Sequence, residues 1–451
     1  MAEFPELERT LRAWVLEAVQ RLLGSAGPEE SYDLRRWRRD SDGIYRNRER
    51  VMPVWRHAEI EALWDLPSWA EVERTVQEDP RLEEQVGQLV GSDQGGRLLE
   101  MQTLGRHVLP LPGEMSDVEG FFSRRFSELD GVLGTQELEY KVVWPLPGLS
   151  SGQFPVQLEQ DVELNRMTED ELTTALNLEL VQPTFPGTSI LMPDEADPAC
   201  LRYHYRIEKM IGDRDNERAS QLVMARQALI DGVRETFEQA LALLFTDPIT
   251  VTGQMAVAAK WNLQAGAVTF QQISPPQNVK HRRQELDEVA AADLQAVWKQ
   301  LRQPGLLQQQ RALALALRRL SYQARRERIE DELVDVLVAA EALYLSDVDY
   351  EELGFRLSLR AAALANPEKV GLTKRQVFDL MRAAYKVRSK VVHGDIPKTR
   401  DLRVAGAPVQ LPEFVEVVER VVRQGLREAL RRAANATEQW PPDWDGLTLP
   451  N

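Results

Sequence analysis

The sequence predicts a multidomain α+β protein that is mainly helical. The chain has 451 residues, too many for one compact core, and this length suggests about three domains. Long stretches at both ends repeat apolar residues with helical spacing, whereas the middle alternates apolar and polar residues as strands do. A hydrophobic content of 43% and a charged content of 28% are ordinary for a globular protein.

Residues 1–134 are expected to form a mostly helical region. A helix is predicted over Glu6–Leu23, where apolar residues recur every three or four positions. The segment Arg35–Arg39, with the sequence RRWRR, mixes cations with Trp37, a combination that can bind nucleic acid through charge and stacking. Nearby acidic residues such as Asp40 dilute this charge. The exposed face of a helix is therefore the favoured interpretation, and ligand contact is the alternative.

Residues 135–300 are expected to form a mixed α+β domain with a sensing or regulatory role. Strands are predicted at Glu137–Trp144, Val156–Leu164, Ile249–Val257 and Ala267–Ile273. Thr168 and Glu171 have the spacing of a capping box, which predicts a helix start. A long loop is expected over Pro183–Pro198 and one long helix over residues 206–245. This region has no phosphate-binding loop, dinucleotide fingerprint or His-Glu-x-x-His pair.

From about residue 281 the sequence predicts helices alone, and residues 301–436 are expected to form an antiparallel helical bundle. The predicted helices are Arg311–Leu320, Arg328–Leu345, Leu353–Ala365, Thr373–Gly394 and Leu411–Ala434. The short loops between them favour antiparallel packing. Residues 437–451 are expected to be a poorly ordered tail.

Composition excludes some classes of function. The net charge is −16, which argues against a general nucleic-acid coat protein. Residues 281–440 nevertheless contain 27 basic and 23 acidic residues, a net charge of +4, which allows a local basic site. The single cysteine, Cys200, excludes an intramolecular disulfide and a cysteine zinc site. The sequence has no apolar run of about 20 residues and begins with acidic residues, so we expect a cytoplasmic protein that does not contact membranes. We also expect that the protein needs no metal or cofactor.

The candidate catalytic residues are Arg388 and His393, close to a helix-ending Gly394. Arginine is a permanent cation whose planar donors suit phosphate oxygens, and histidine can transfer protons near neutral pH. Five residues of a regular helix rotate by about 500°, which leaves these two side chains roughly 140° apart. A two-fold dimer through this helix would bring two copies of each residue into one cleft. On spacing alone, however, both residues are more often structural groups at a helix end.

The neighbouring residues strengthen the functional interpretation. The stretch from Ala384 to Gly394 resembles the signature helix of the HEPN superfamily, and more narrowly of the Apea-like HEPN family. Three earlier segments match in order: Ala340–Leu343, Leu357–Ala362 and Arg375–Phe378. The resemblance covers residues 300–436.

The resemblance implies a HEPN-type bundle in which Arg388 and His393 form an Arg-x₄₋₆-His ribonuclease motif, here with four intervening residues. It also implies a homodimer with a composite site, which cuts RNA without a metal through attack by the ribose 2′-hydroxyl. Such proteins act as toxins or in prokaryotic antiphage defence, and the N-terminal regions would then respond to a phage or cellular trigger. Lys390, Ser389 and Glu341 are candidate supporting or substrate-binding residues.

Two alternatives remain open at the level of sequence. The HEPN-like region could be a non-catalytic interaction scaffold, or it could bind nucleotides or tRNA without cleavage. Glu341 is also the better candidate for a structural ion pair, with Arg360 or Arg388 as its partner, because a buried carboxylate on an apolar helix face needs a partner.

Overall fold

The structure is a computed structural model. It describes residues 2–25, 27–42, 44–86, 101–150, 152–181, 190–191, 199–208, 216–246, 249, 251, 253–258, 269–272, 284–323, 326, 328–347 and 352–448. Helices predominate in this part of the chain, and strands are concentrated in its middle.

The helices are α1 Pro5–Leu23, α2 His57–Glu61, α3 Pro67–Glu78, α4 Pro80–Glu83, α5 Met101–Val108, α6 Val118–Gly134, α7 Glu169–Asn177, α8 Asn216–Leu244, α9 Glu288–Leu301, α10 Leu306–Gln309, α11 Arg311–Gln323, α12 Ile329–Tyr344, α13 Leu353–Leu364, α14 Pro367–Val370, α15 Lys374–Val392, α16 Leu411–Ala433 and α17 Trp444–Thr448. Short 3₁₀ helices occupy Pro112–Asp117 and Thr399–Asp401. None of the helices in the described ranges is both long enough and apolar enough to cross a membrane.

The strands are β1 Glu29–Arg39, β2 Tyr45–Val54, β3 Glu137–Leu146, β4 Leu149–Ser150, β5 Val156–Glu159, β6 Val162–Arg166, β7 Ile190–Leu191, β8 Ala199–Glu208, β9 Gly253–Ala258, β10 Thr269–Gln272, β11 Gln284–Glu285, β12 Arg403–Val404 and β13 Ala407–Pro408. Six of them form an antiparallel sheet in the order β10-β9-β3-β8-β6-β5. The strand predicted over Val156–Leu164 is a hairpin of two strands, β5 and β6.

The two faces of this sheet enter different hydrophobic cores, because successive residues of a strand point to opposite sides. Val142 and Trp144 of β3 pack with α8 and with the helices that follow it. Val143, between them, packs with α7 and with Trp37 of β1. The first core continues without interruption into α11–α16, so the sheet and the C-terminal helices share one apolar interior.

A buried ionic network fixes α7 against the second face of the sheet. Glu171 accepts hydrogen bonds from Arg202 at 2.7 Å and from Lys141 at 2.7 Å. It also completes the predicted capping box, because its carboxylate accepts from the Thr168 backbone N–H at 2.8 Å. Burial favours a raised pKa for the Glu171 carboxyl, but these hydrogen bonds together outweigh burial and lower the pKa to about 2.

The N-terminal region differs from the prediction after its first helix. The predicted helix over Glu6–Leu23 is present as α1, and its apolar face packs with α3, α5 and α6 around stacked tryptophans. Arg35–Arg39, however, lies on strand β1 of a hairpin, not on a helix. Trp37 is buried and Arg39 forms an ion pair with Glu169 at 2.6 Å, so this tryptophan is not available to stack on a base.

Three further expectations are wrong. Residues 206–208 belong to strand β8, not to the long helix, which is described as Asn216–Leu244; residues 209–215 lie outside the described residues. The C-terminal region contains short strands, β11 to β13, in addition to helices. The described part of the tail, residues 437–448, is packed, since Trp440 and Trp444 are buried against the shared core. Within the predicted loop Pro183–Pro198, the structure describes only residues 190 and 191. These two residues form strand β7, which pairs with β2.

Candidate functional site

Helix α15 carries the candidate motif, and its sequence explains its position. Its N-terminus has a capping box, in which the Thr373 hydroxyl accepts from the Gln376 backbone N–H and the Gln376 side chain accepts in return from the Thr373 N–H. Its buried face is a stripe with helical spacing: Val377, Leu380, Met381, Ala384 and Val387. This stripe packs against α12 and α13 and so fixes the rotation of the helix.

The C-terminus of α15 closes in a Schellman motif. The Asp395 N–H donates to the Lys390 carbonyl and the Gly394 N–H to the Val391 carbonyl, both at 2.9 Å. Gly394 has a φ of 84°, a conformation that favours glycine. His393 is the C-cap residue, and its backbone N–H bonds to the carbonyls of the last turn. The backbone at His393 is therefore held firmly at the helix end.

The His393 side chain is exposed to solvent. Within the described residues, its ring forms no hydrogen bond or ion pair, and the helix-end carbonyls are bonded by backbone N–H groups instead. A structural histidine at a helix end is expected to bond those carbonyls or to be buried. The exposed position of His393 does not match that structural role.

Arg388 lies on the side of α15 that faces α12. Its guanidinium is 3.5 Å from the Glu341 carboxylate, and both side chains are 27% exposed. Glu341 therefore has the arginine partner that the sequence suggested, while Arg360 pairs with Asp347. Burial first, and the Glu341 charge second, raise the pKa of the neighbouring Tyr385 phenol, whereas Arg388 opposes this shift.

Lys390 and Ser389 occupy different surroundings. The Lys390 ammonium donates to Asp401 at 2.7 Å, which ties α15 to the 3₁₀ turn after it. This hydrogen bond lowers the pKa of the Asp401 carboxyl. Ser389 is exposed, and its carbonyl accepts a hydrogen bond from the His393 N–H. Asp401 was missed at the level of sequence, because it is 11 residues from Lys390 and beyond the helix end.

The structure does not bring Arg388 and His393 together within one chain. Arg388 contacts α12, whereas His393 projects into solvent beyond the last turn, as helix geometry predicts. The surrounding segment is basic, since residues 382–403 contain seven Lys or Arg and two Asp or Glu, a net charge of +5. The end of α15 can therefore attract a phosphate backbone even though the whole chain is acidic.

Comparisons with known proteins add no identification. The chain matches no family model, and no curated protein or solved structure is significantly similar to it.

Proposed function

We propose that the C-terminal helical region is a metal-independent endoribonuclease of the HEPN type, which works as a homodimer. The observation that carries this proposal is the exposed His393 ring, held at a rigid helix end in a basic surrounding. The resemblance of residues 300–436 to HEPN proteins supports the same function. The same resemblance supports a role as a prokaryotic toxin or antiphage-defence protein that acts in the cytoplasm, with N-terminal regions that respond to a trigger.

His393 would transfer the protons of the reaction. As a general base it would take the proton of a ribose 2′-hydroxyl, whose oxygen attacks the adjacent phosphorus. As a general acid, the ring would protonate the leaving 5′-oxygen. Such transfer contributes about 10²–10⁴-fold to the rate. The products would be a 2′,3′-cyclic phosphate and a 5′-hydroxyl, and a DNA strand could not react.

Arg388 would stabilise the additional negative charge on the phosphate in the transition state. An arginine has five N–H donors, and Glu341 accepts a single long hydrogen bond from this guanidinium. The Nε–H of Arg388 is buried, so the donors that remain for phosphate oxygens are those of its terminal nitrogens. Glu341 would then be a positioning residue that orients Arg388 and does not touch RNA.

A second copy of the chain would complete the site. Because Arg388 and His393 do not face one point within a chain, the proposal needs the arginine of one protomer beside the histidine of the other. Two apolar side chains next to the motif are exposed, Val392 at 55% and Ile396 at 87%. Exposed apolar groups at one helix end are suited to burial in a dimer.

The test is cleavage of a structured RNA by the full-length protein in the presence of EDTA. We expect His393→Ala to lower the cleavage rate by at least about 100-fold and Arg388→Ala by about 10²–10³-fold. The products should carry 2′,3′-cyclic phosphates, and an RNA with 2′-O-methyl groups should stay intact.

Two control variants isolate the motif. His57→Ala removes a histidine that is 85% exposed on α2, and Arg375→Ala removes an arginine that is 81% exposed at the other end of α15. Both should cleave like the parent. If His393→Ala cleaves as fast as His57→Ala while its circular dichroism is unchanged, the proposed chemistry is wrong.

The alternative is a non-catalytic scaffold, and the ion pairs of Arg388 with Glu341 and of Lys390 with Asp401 favour it, because both hold the bundle together. A scaffold predicts a dimer that does not cleave RNA under any condition. Because both functions predict a dimer, the cleavage assay distinguishes them, and sedimentation of the parent tests the dimer that they share.

A further inference from the structure

A cavity of about 420 Å³ lies on the side of the helical region formed by α16, between α8, α9 and α14. It is distinct from the Arg388–His393 site, since none of its lining residues belongs to α15. Ligand cavities commonly have volumes of about 300–1,000 Å³, so this one can hold a small organic molecule.

The cavity is lined by a row of cations. Arg420, Arg423, Arg427 and Arg431 occupy one face of α16 with spacings of three and four residues, and Lys369 of α14 lies nearby. The lining contains these five cations and two acids, Asp293 and Glu428.

The cations differ in how firmly they are engaged. Arg423 is buried and serves the fold, since it donates to the Ala242 carbonyl of α8 at 2.8 Å and pairs with Glu419. Burial and the neighbouring charges of Arg420 and Arg427 lower the pKa of the Arg423 guanidinium, against the pull of Glu419. Arg427 is paired with Asp293 at 2.6 Å, and Arg431 is paired with Glu428 at 2.9 Å and with Glu438 at 2.6 Å.

Arg420 and Lys369 are the donors most free to bind a ligand. Arg420 has a half-exposed partner one turn away, Glu416 at 2.9 Å, and such surface pairs are weak. Lys369 is exposed, and among the described residues its ammonium has no hydrogen bond or ion pair. The Gln424 carbonyl oxygen accepts from the Asn366 N–H, which leaves its amide N–H₂ available as a donor.

The α8 and α9 side of the cavity is partly apolar. Its apolar residues are Leu243 and Leu244 at the end of α8 and Ala296 and Val297 of α9, and its polar residues are Thr246, Asp293 and Gln300. A ligand that suits both walls has an anionic part for α16 and a flat or apolar part for α8 and α9. Inorganic phosphate would use the first wall alone, whereas a nucleotide would use both.

We propose that this cavity binds a small organic phosphate of nucleotide size, with its phosphates at Lys369 and Arg420 and its apolar part against α8 and α9. The site goes beyond the proposed ribonuclease function and does not depend on it. Because the cavity is bounded by α8, which packs on the sheet, and by α16 of the helical region, its ligand would contact both parts of the shared core.

The test is isothermal titration calorimetry of the full-length protein with ATP, inorganic triphosphate and adenosine as probes. We expect one ATP to bind per chain, and triphosphate and adenosine each to bind at least about tenfold more weakly, a difference of about 1.4 kcal/mol. The double variant Lys369→Gln with Arg420→Gln should weaken ATP binding at least tenfold. The charge-matched control, Lys374→Gln with Arg375→Gln at the start of α15, should bind ATP like the parent.

Several results would overturn the proposal. They are the absence of ATP binding at millimolar concentration, adenosine binding as tight as ATP binding, and an equal loss of ATP affinity in the cavity and control variants. A short RNA that binds through Lys369 and Arg420 when ATP does not would make this surface an RNA contact instead. Circular dichroism of each variant shows whether a lost affinity comes from a lost fold.

Discussion

The buried carboxylate of Glu171 provides the most quantitative prediction. Its side chain is 3% exposed and accepts hydrogen bonds from Arg202, Lys141 and the Thr168 backbone. Glu171→Gln keeps the size of the side chain but removes the charge, so that Arg202 loses its most buried partner. Removal of one member of a buried ion pair typically costs about 3–5 kcal/mol of stability.

The pKa shift gives an independent magnitude. The pKa of Glu171 falls from 4.5 to about 2 on folding, which corresponds to roughly 3 kcal/mol at about 1.4 kcal/mol per pH unit. Because the folded pKa is the lower one, this stability is present above about pH 4.5 and is lost as the pH falls towards 2. At pH 3, roughly 2 kcal/mol of it should be gone.

The assay is unfolding in urea. It is monitored by pulse proteolysis at pH 7 and by circular dichroism at pH 7 and pH 3. We expect Glu171→Gln to unfold at lower urea than the parent at pH 7, and the gap to shrink by roughly 2 kcal/mol at pH 3. The control is Glu169→Gln on the same helix, whose carboxylate is 52% exposed and pairs with Arg39. It should lose less than about 1 kcal/mol. Equal losses in the two variants, or a gap independent of pH, would refute the reasoning.

Two further variants test backbone strain and tail packing. Gly394→Ala should lower the free energy of unfolding of α15 by about 1–2 kcal/mol, because φ is 84° and no atom lies within 4 Å of the added Cβ, so the effect is purely conformational. Hydrogen exchange of the backbone amides at the end of α15 measures this loss of stability. Gly394→Asn should lose less stability than Gly394→Ala. Equal exchange rates in the parent and both variants would contradict the prediction. Trp444→Ala should destabilise the protein by about 3–5 kcal/mol, because this buried ring packs on Tyr344 and Trp440 and lies 4.9 Å from the Arg360 guanidinium. Urea unfolding measures this loss, and a parent-like midpoint would show that the tail is not part of the core.

Elements with a strong local signal were predictable from the sequence. The Thr373 capping box, the apolar stripe and Gly394 define both ends of α15, and the Thr168 capping box defines the start of α7. These signals are local, because a cap or a helical stripe is formed by residues within a few positions of each other.

Elements that depend on distant partners were not predictable. The Arg35–Arg39 segment is a strand because it pairs with β2, and Trp37 is buried because α7 and Met255 of β9 pack over it. Strand β8 pairs with β3 and β6, from which it is separated by more than thirty residues of chain. In such cases, tertiary packing overrides local propensity.

The candidate site was predictable in its residues but not in all its contacts. The sequence identified Arg388, His393 and Glu341, and helix geometry showed that Arg388 and His393 diverge around α15. The sequence did not identify Asp401 as the partner of Lys390, because the turn that brings it back is irregular. The sequence analysis also missed the arginine row of α16. The regular spacing of these arginines is visible in the sequence, but the residues of α8 and α9 that face them cannot be identified from it.

The apolar interior shared by the sheet and the C-terminal helices constrains how this protein can evolve. Trp144 of β3, Phe237 of α8 and Leu426 of α16 belong to one core and have no exposed surface. A recombination event that exchanged only the sheet or only the C-terminal helices would create a core whose two halves had not evolved together. The sheet and the helices must therefore be inherited as one unit. The N-terminal region is tied to them as well, because Trp37 of β1 packs with Val143 on the second face of the sheet.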